Sequence, residues 1–303
     1  MAKAALKTAV LDARLRASGR VDHPLSGRPL ARPAVPGSLG SRREPPRKEA
    51  MSGQRVLITG ASRGIGAAIA EELAGRGDTI AVHYRTDRTA AEAFAARLPG
   101  EGHVALHADL SRPEDLPGLV TGAVSALGGV DVLVNNAAMY VAHPIATTSY
   151  EEWRATWRQT IEVNLFAAAD VTWQVVRHLL DRPEGPGGGR IVMIGSRGAY
   201  RGEPDTTAYG ASKAGLHAFA QSLAVSLAPH GIAVAAVAPG FVRTDMAEEL
   251  LAGPDGPAIR AQSPFGRVAE PREIAAAVAW LTSADALWAS GTVLDLNGAS
   301  YLR

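Results

Sequence analysis

The sequence predicts an α/β fold, a single doubly wound domain on a seven-stranded parallel sheet. Three observations lead there. Seven short runs rich in Val, Ile, Leu and Ala recur between residues 55 and 296. Longer segments with helical patterning separate them. The short runs are apolar throughout rather than alternating, which is how strands read when helices cover both faces of their sheet.

Each element follows in order. "RVLIT" (55–59) is the first strand, and it turns through "TGASRGIG" into a helix over 64–76. "TIAVHY" (79–84) and "HVALHA" (103–108) are the next two strands, with a helix over 88–98 between them. A helix over 113–127 then leads to "DVLVNN" (131–136). A long helical segment, 150–181, runs through the glycine-rich loop "RPEGPGGGR" to "RIVMIGS" (190–196). A helix over 208–229 precedes "IAVAAVAP" (232–239). The stretch "AEELLAGPDGPAIRAQSPF" is expected to be a loop, given its Gly and Pro content. A helix over 271–282, opened by Glu270 and Pro271, leads to the last strand, "TVLDL" (292–296).

Bulk properties narrow the function. The 303-residue chain carries a formal net charge of +1, so no global field points to nucleic acid or an anionic membrane. It has no cysteine, which excludes disulfides, thiol nucleophiles and thiolate zinc sites and fits a reducing compartment such as the cytoplasm. No metal site is expected. No apolar run approaches the ~20 residues that span a bilayer. Residues 1–50 differ from the rest: they are rich in Arg and Pro and are expected to be disordered. Met51 stands just before the first strand, and we expect it to be the natural start, with 51–303 the folded domain.

The chemistry begins at the first turn. Gly60, Gly64 and Gly66 in "TGASRGIG" leave no side chain between the backbone and an approaching pyrophosphate, and the helix behind offers free N–H groups. The spacing is G-x-x-x-G-x-G rather than the general dinucleotide G-x-G-x-x-G. At the end of the second strand, where an NAD-preferring site places a carboxylate, the chain has His83, Tyr84 and Arg85. A guanidinium can hold a 2′-phosphate that a carboxylate repels. Arg85, with Arg63 inside the glycine turn, therefore predicts NADP(H) over NAD(H), although Asp87 stands nearby. Asp109, after the third strand, can receive an adenine amino group or cap the following helix. Asn135 is read as a tie between strands. Asn136 is read as an amide shared between backbone and ribose.

Tyr209 and Lys213 stand four apart at the head of a helix, so they share one face. A free phenol has a pKa of about 10, and a neighbouring ammonium favours the phenolate. Ser196 ends the fifth strand and Asn164 lies in the long preceding helix. Together "TGASRGIG", "NNAA", Asn164, Ser196, "YGASK" and "PGFVRT" resemble the classical short-chain dehydrogenase/reductase family, over about residues 54–300.

That resemblance implies a Rossmann-type fold and carbonyl–alcohol oxidoreduction. It implies that Tyr209 is the general acid/base, that Ser196 bonds the substrate oxygen, and that Lys213 lowers the pKa of Tyr209 and bonds the nicotinamide ribose. Asn164 is implied to hold a water that links Lys213 to solvent. The implied cofactor contacts are Gly60, Ser62, Arg63, Gly64, Ile65, Gly66, Tyr84, Arg85, Asp109, Leu110, Asn136, Ala137, Tyr209, Lys213, Pro239, Gly240, Val242 and Thr244. The loop after Thr244 corresponds to a mobile lid over the substrate. Three positions depart from the family pattern: Ala138, Gly195 and Ala299 replace Gly, Ser and Gly.

"PFGRVAEPREIAAAVAWL" and "VHYR" look most like 3-oxoacyl-thioester reductases. Other ketones remain open, as does a non-catalytic NADP-binding regulator. Segments 139–150 and 197–207, which would line the pocket, show no charge cluster that selects phosphate or carboxylate. Trp153, Trp157, Phe166, Trp173 and Phe219 suggest a homo-oligomer, a tetramer or dimer, as in relatives. The alternative is that the tryptophans line the monomer core and pocket.

Overall fold

The computed structural model describes residues 53–303. The basic extension, and with it the expected disorder of 1–50 and the start at Met51, lies outside the described residues. The strands are β1 (Arg55–Ile58), β2 (Thr79–Tyr84), β3 (Val104–His107), β4 (Val132–Asn135), β5 (Arg190–Ile194), β6 (Ala233–Pro239) and β7 (Val293–Leu296). They form one seven-stranded sheet in the order β3-β2-β1-β4-β5-β6-β7, and every pairing is parallel. β1 pairs with both β2 and β4, so the order reverses beside it. A crevice at that reversal, outside the carboxyl ends of the strands, is where doubly wound sheets bind ligands.

Alternate side chains of each strand point to opposite faces, and the sheet has two cores. Leu57, Leu133, Ile191 and Val234 face the helices α3 (Leu116–Leu127), α5 (Ala167–Leu180) and α6 (Thr207–Leu227). Val56, Ile58, Val132 and Val192 face α1 (Gly64–Gly75) and α9 (Pro271–Leu281). The five inner strands are buried along nearly their whole length, which is why they read as unbroken apolar runs, whereas the edge strands β3 and β7 are partly exposed. α2 (Arg88–Arg97) starts on Asp87, whose carboxylate accepts the Ala90 N–H at 2.9 Å. α4 (Tyr150–Ile161) starts on a capping box of Ser149 and Glu152.

Two expectations change. The long segment 150–181 is not uniform: α4 and α5 are joined by a π-helical turn, Glu162–Phe166, which contains Asn164. The expected loop after Thr244 contains two helices, α7 (Asp245–Ala252) and α8 (Gly256–Ala261). Gly253 and Pro254 mark only the break between them. Ala247, Leu251, Ile259 and Val268 bury against one another, and that small core makes the segment helical.

Candidate active site

Tyr209 lies in the first turn of α6, and Lys213 one turn later on the same face. The start of α6 is held by His143, whose Nε2 accepts the Ala208 N–H at 3.2 Å. Lys213 is 2% exposed, and its Nζ donates to the Ile194 carbonyl at 2.7 Å, at the end of β5. The same Nζ sits 5.6 Å from the centroid of the Tyr209 ring. Ser196 follows β5, and its Oγ accepts the Gly198 N–H at 3.0 Å. Tyr140 meets Tyr209 edge-on, with ring centroids 5.0 Å apart.

Burial governs the protonation of this group. It pushes the Tyr209 phenol up to about 12, against the opposing hydrogen bond with Ser196. It pulls the Lys213 ammonium down to about 8. The ammonium is turned toward a main-chain carbonyl, and desolvation of the phenolate dominates. Tyr209 is a protonated acid at neutral pH.

Asn164 is buried in the π turn. Its Oδ1 accepts the Met139 N–H at 2.8 Å, and its Nδ2 donates to the Met139 carbonyl at 3.0 Å and to Ser212 Oγ at 3.1 Å. The side chain thus braces the strand-four loop against α6.

The glycine turn has the shape for a dinucleotide phosphate. Gly60 and Gly64 have φ of 64° and 58°, in the left-handed region. A Cβ on Gly66 would stand 2.3 Å from the Gly60 carbonyl oxygen, so the turn folds directly onto the first turn of α1. No side chain caps α1 and no acid occupies its first turn, so its leading N–H groups remain open to an anion. Ser62 and Ile65 are half-buried in this turn, and Arg63 is exposed at the helix entry. Thr244 lies against it: its Cγ2 would be 3.4 Å from a Cβ on Gly64. The residues present therefore fit a dinucleotide.

Arg85 is exposed beyond β2 and, like Arg63, belongs to no ion pair among the described residues. The carboxylate of Asp87, occupied in capping α2, does not neutralise Arg85. Tyr84 is buried, with its ring tilted against His107 at 5.5 Å. Leu110 is buried and Ala137 half-buried at the same edge of the sheet. Pro239 ends β6, the Gly240 N–H donates to the Leu296 carbonyl at 3.1 Å, and Val242 is buried beside Ala269.

Asp109 turns its Oδ1 to the Ser111 N–H and hydroxyl at 3.0 and 2.7 Å, and these bonds lower its pKa. Arg112 and Asp115, not Asp109, stand at the N-caps of the helical turns that follow. Asn135 bonds Thr172 Oγ1 at 2.8 Å and Met193 Sδ at 3.2 Å, so it does tie neighbouring elements together. Asn136 directs its Nδ2 to the Thr59 and Gly60 carbonyls at 2.9 and 3.0 Å, locking the glycine turn to β4.

Two histidines were not assigned roles from sequence. His83 Nδ1 accepts the Gly60 N–H at 2.9 Å, and its Nε2 faces the Ala108 carbonyl at 3.1 Å. Burial lowers its pKa to about 4, so it stays neutral and pins the turn to β2 and β3. His217, one turn beyond Lys213, accepts the Ser196 N–H at 3.4 Å. A Cβ on Gly195 would stand 1.9 Å from its Nε2. The glycine at 195 and the histidine at 217 are therefore one feature, and the imidazole fills the space a serine would take. The sequence signal was that pairing of a missing side chain with a polar residue on a buried helix face.

A family model described as enoyl-(acyl carrier protein) reductase matches residues 60–298. The 3-oxoacyl-(acyl-carrier-protein) reductase of Vibrio cholerae is 36% identical over 252 residues, covering 83% of this chain and 99% of the relative. The 3beta-hydroxysteroid dehydrogenase 1 of Eggerthella lenta is 34% identical over 255 residues, covering 83% and 95%. A crystal structure of a short chain dehydrogenase from Burkholderia cenocepacia, in complex with NADP, superposes with a TM-score of 0.74 at 34% identity, covering 82% of this chain and 98% of that one.

Proposed function

The chain belongs to the short-chain dehydrogenase/reductase family, and from that premise we propose that Tyr209, Ser196 and Lys213 carry out NADP(H)-dependent interconversion of a carbonyl and a secondary alcohol. The observation that carries the assignment of roles is the half-buried Tyr209 phenol at the head of α6. It has Lys213 Nζ 5.6 Å from its ring centroid and Ser196 at the end of β5 to oppose the desolvation that pushes it up to about 12.

When bound, NADPH supplies the hydride. The chain's own residues do the rest. The open N–H groups of α1 and the glycine turn would hold the pyrophosphate. Arg63 and Arg85 would hold the 2′-phosphate. Ser196 Oγ would donate to the substrate oxygen and stabilise the charge that develops there. Tyr209 donates its proton to that oxygen in reduction and recovers one from the alcohol in oxidation. Lys213, held to Ile194, keeps a positive charge beside the phenol and compensates the phenolate left behind.

The 3-oxoacyl-thioester reading is favoured by the Vibrio cholerae relative, but the Eggerthella lenta relative is nearly as similar and is named for a steroid alcohol. Similarity therefore supports the reaction more strongly than the substrate. The oligomer belongs to the same proposal: Phe166 and Trp173 are exposed on the α4–α5 segment, whereas Phe219 packs on the core and Trp153 and Trp157 are half-buried against each other. We place the chain in the cytoplasm on its cysteine-free composition.

The test is NADPH oxidation with acetoacetyl thioesters and simple ketones, with NADH run beside it. Turnover with NADPH exceeding that with NADH is expected. Tyr209→Phe should lower kcat at least 100-fold, in keeping with loss of a general acid, while NADPH titration still shows binding. A Tyr209→Phe variant with undiminished turnover would end the assignment of roles. Equal affinity for both cofactors would end the role of Arg63 and Arg85.

A further inference from the structure

Arg197, the residue after Ser196, lines a cavity of about 290 Å³. It lies at the carboxyl ends of β6 and β7, beneath α8, and its wall includes Arg197, Phe241, Gln262, Ser263, Asn297 and Ser300. Arg197 directly follows the catalytic serine, and consecutive α-carbons are only about 3.8 Å apart. Folding has brought it to a wall built from residues far along the chain, from Phe241 to Ser300.

Arg197 is 4% exposed, a rare burial for a guanidinium. Its Nη1 donates to Ser300 Oγ at 2.6 Å, and its Cζ lies 5.4 Å from the Phe241 ring centroid. Among the described residues no carboxylate pairs with it. The two acids in the cavity wall are already matched. Glu273 takes both ends of the Arg267 guanidinium at 2.6 and 2.7 Å, and Asp295 takes Arg303 at 2.9 Å. Glu203 is near enough to oppose the loss of charge on Arg197, yet burial pushes its own carboxyl toward the protonated form. Arg201 adds a second positive group at the edge and is held by Gln262 Oε1 at 2.8 Å. The cavity wall therefore carries a buried guanidinium with spare donors and no counterion of its own. An unpaired buried charge is costly unless something compensates it.

We propose that this cavity is an anion subsite of the substrate site, in which Arg197, supported by Ser300, receives a carboxylate or phosphate oxyanion carried by the carbonyl substrate. The proposal rests on the carbonyl-reductase reading and narrows it to ketones with an anionic tail. A guanidinium offers two parallel N–H donors to either oxyanion, which a lysine does not. The segment 197–207, which by sequence carried no selecting charge cluster, gains one only when Ser300 and Gln262 fold against it.

The experiment uses the full chain with 5-oxohexanoate, its methyl ester and 5-oxohexyl phosphate as NADPH-dependent substrates. The wild-type protein should prefer at least one anion over the ester by tenfold or more in kcat/KM. Arg197→Met should reduce that preference at least tenfold, mainly through KM, and Arg197→Lys should fall between. Calorimetric binding of glutarate and of inorganic phosphate gives a readout that needs no turnover, with Kd at least tenfold weaker in Arg197→Met. Thermal melting checks that each variant is folded, and Arg197→Lys supplies the comparison if Arg197→Met is not. Preference for the carboxylate or for the phosphate identifies the source of the oxyanion. If none of the three ketones is reduced but glutarate or phosphate binds through Arg197, the carbonyl reading fails and the anion site stands. If ester and anions are reduced equally and neither glutarate nor phosphate depends on Arg197, the anion site is overturned and the carbonyl reading stands. Loss of self-association in Arg197→Met, with substrate preference intact, would assign the cavity to a second copy's chain and also overturn the proposal.

Discussion

Ala299 has φ of 56°, and it is the one non-glycine residue with positive φ among the described residues. An L-residue in the left-handed region costs about 1–2 kcal/mol. The family-like position is a glycine, so a substitution that looked neutral in the sequence has a backbone cost. Ala299→Gly relieves that strain, and part of the gain is offset by the greater freedom glycine has when unfolded. A net gain of about 1 kcal/mol is expected, raising Tm by about 2–4 °C in a domain of this size. An unchanged or lower Tm would show that the turn is not strained. Lys213 is a second residue with a cost. Its pKa falls from 10.5 to about 8 on folding, so between those values the unfolded chain binds more protons than the folded one. Stability from this group therefore rises with pH from about 8 to 10.5, and below 8 the cost of burying the ammonium is fully present. Lys213→Met should raise Tm by several degrees at pH 7, lose that advantage above pH 10, and abolish turnover. A fall in Tm at pH 7 would mean that the bond to Ile194 outweighs desolvation.

The π turn between α4 and α5 matters because of what it does with Asn164. One extra residue in the helical register brings this amide to face Met139, whose N–H and carbonyl both lie within hydrogen-bond distance. Asn164→Ala leaves both main-chain groups without that partner at a cost of roughly 1–3 kcal/mol. The expected outcome is a lower Tm, a kcat reduced tenfold or more, and faster amide exchange confined to the loop that follows β4. Unaltered exchange at Met139 would remove the bracing role. The strands that frame this site were legible because a strand buried on both faces has a continuous apolar sequence, as in "IAVAAVAP". Asn164 itself was legible, but its register was not, since a π turn is set by hydrogen-bond pairing and not by side-chain period. α7 and α8 were read as loop because "GPDGP" dominates their centre, while Leu251 and Ile259, which hold them together, are few and far apart in sequence. The same limit hid the direction of Lys213 and the Asn136 amide: residue spacing says which groups can meet but not which carbonyl a donor will choose.

At the scale of the molecule, the apolar surface falls on two sides of the sheet. Phe166 and Trp173, 52% and 62% exposed, belong to the segment that covers one face through α5. Trp280, Leu287 and Trp288, the last 99% exposed, belong to α9 and the turn after it, which cover the other face. Such rings are costly to leave in water and mark contact surfaces when they cluster. A patch that pairs with its own copy makes a twofold, self-complementary interface, and two such patches on one protomer combine into a tetramer with three perpendicular twofold axes. The homo-oligomer we propose is therefore a tetramer. Trp173→Lys should break one interface and Trp288→Lys the other. Each should leave a dimer by light scattering, and the double variant a monomer, with far-UV circular dichroism unchanged in all three. If Trp288→Lys leaves the mass intact while Trp173→Lys halves it to a monomer, the assembly is a dimer through the α4–α5 side. If neither substitution changes the mass, the exposed tryptophans are not the contact surface and the tetramer assignment fails.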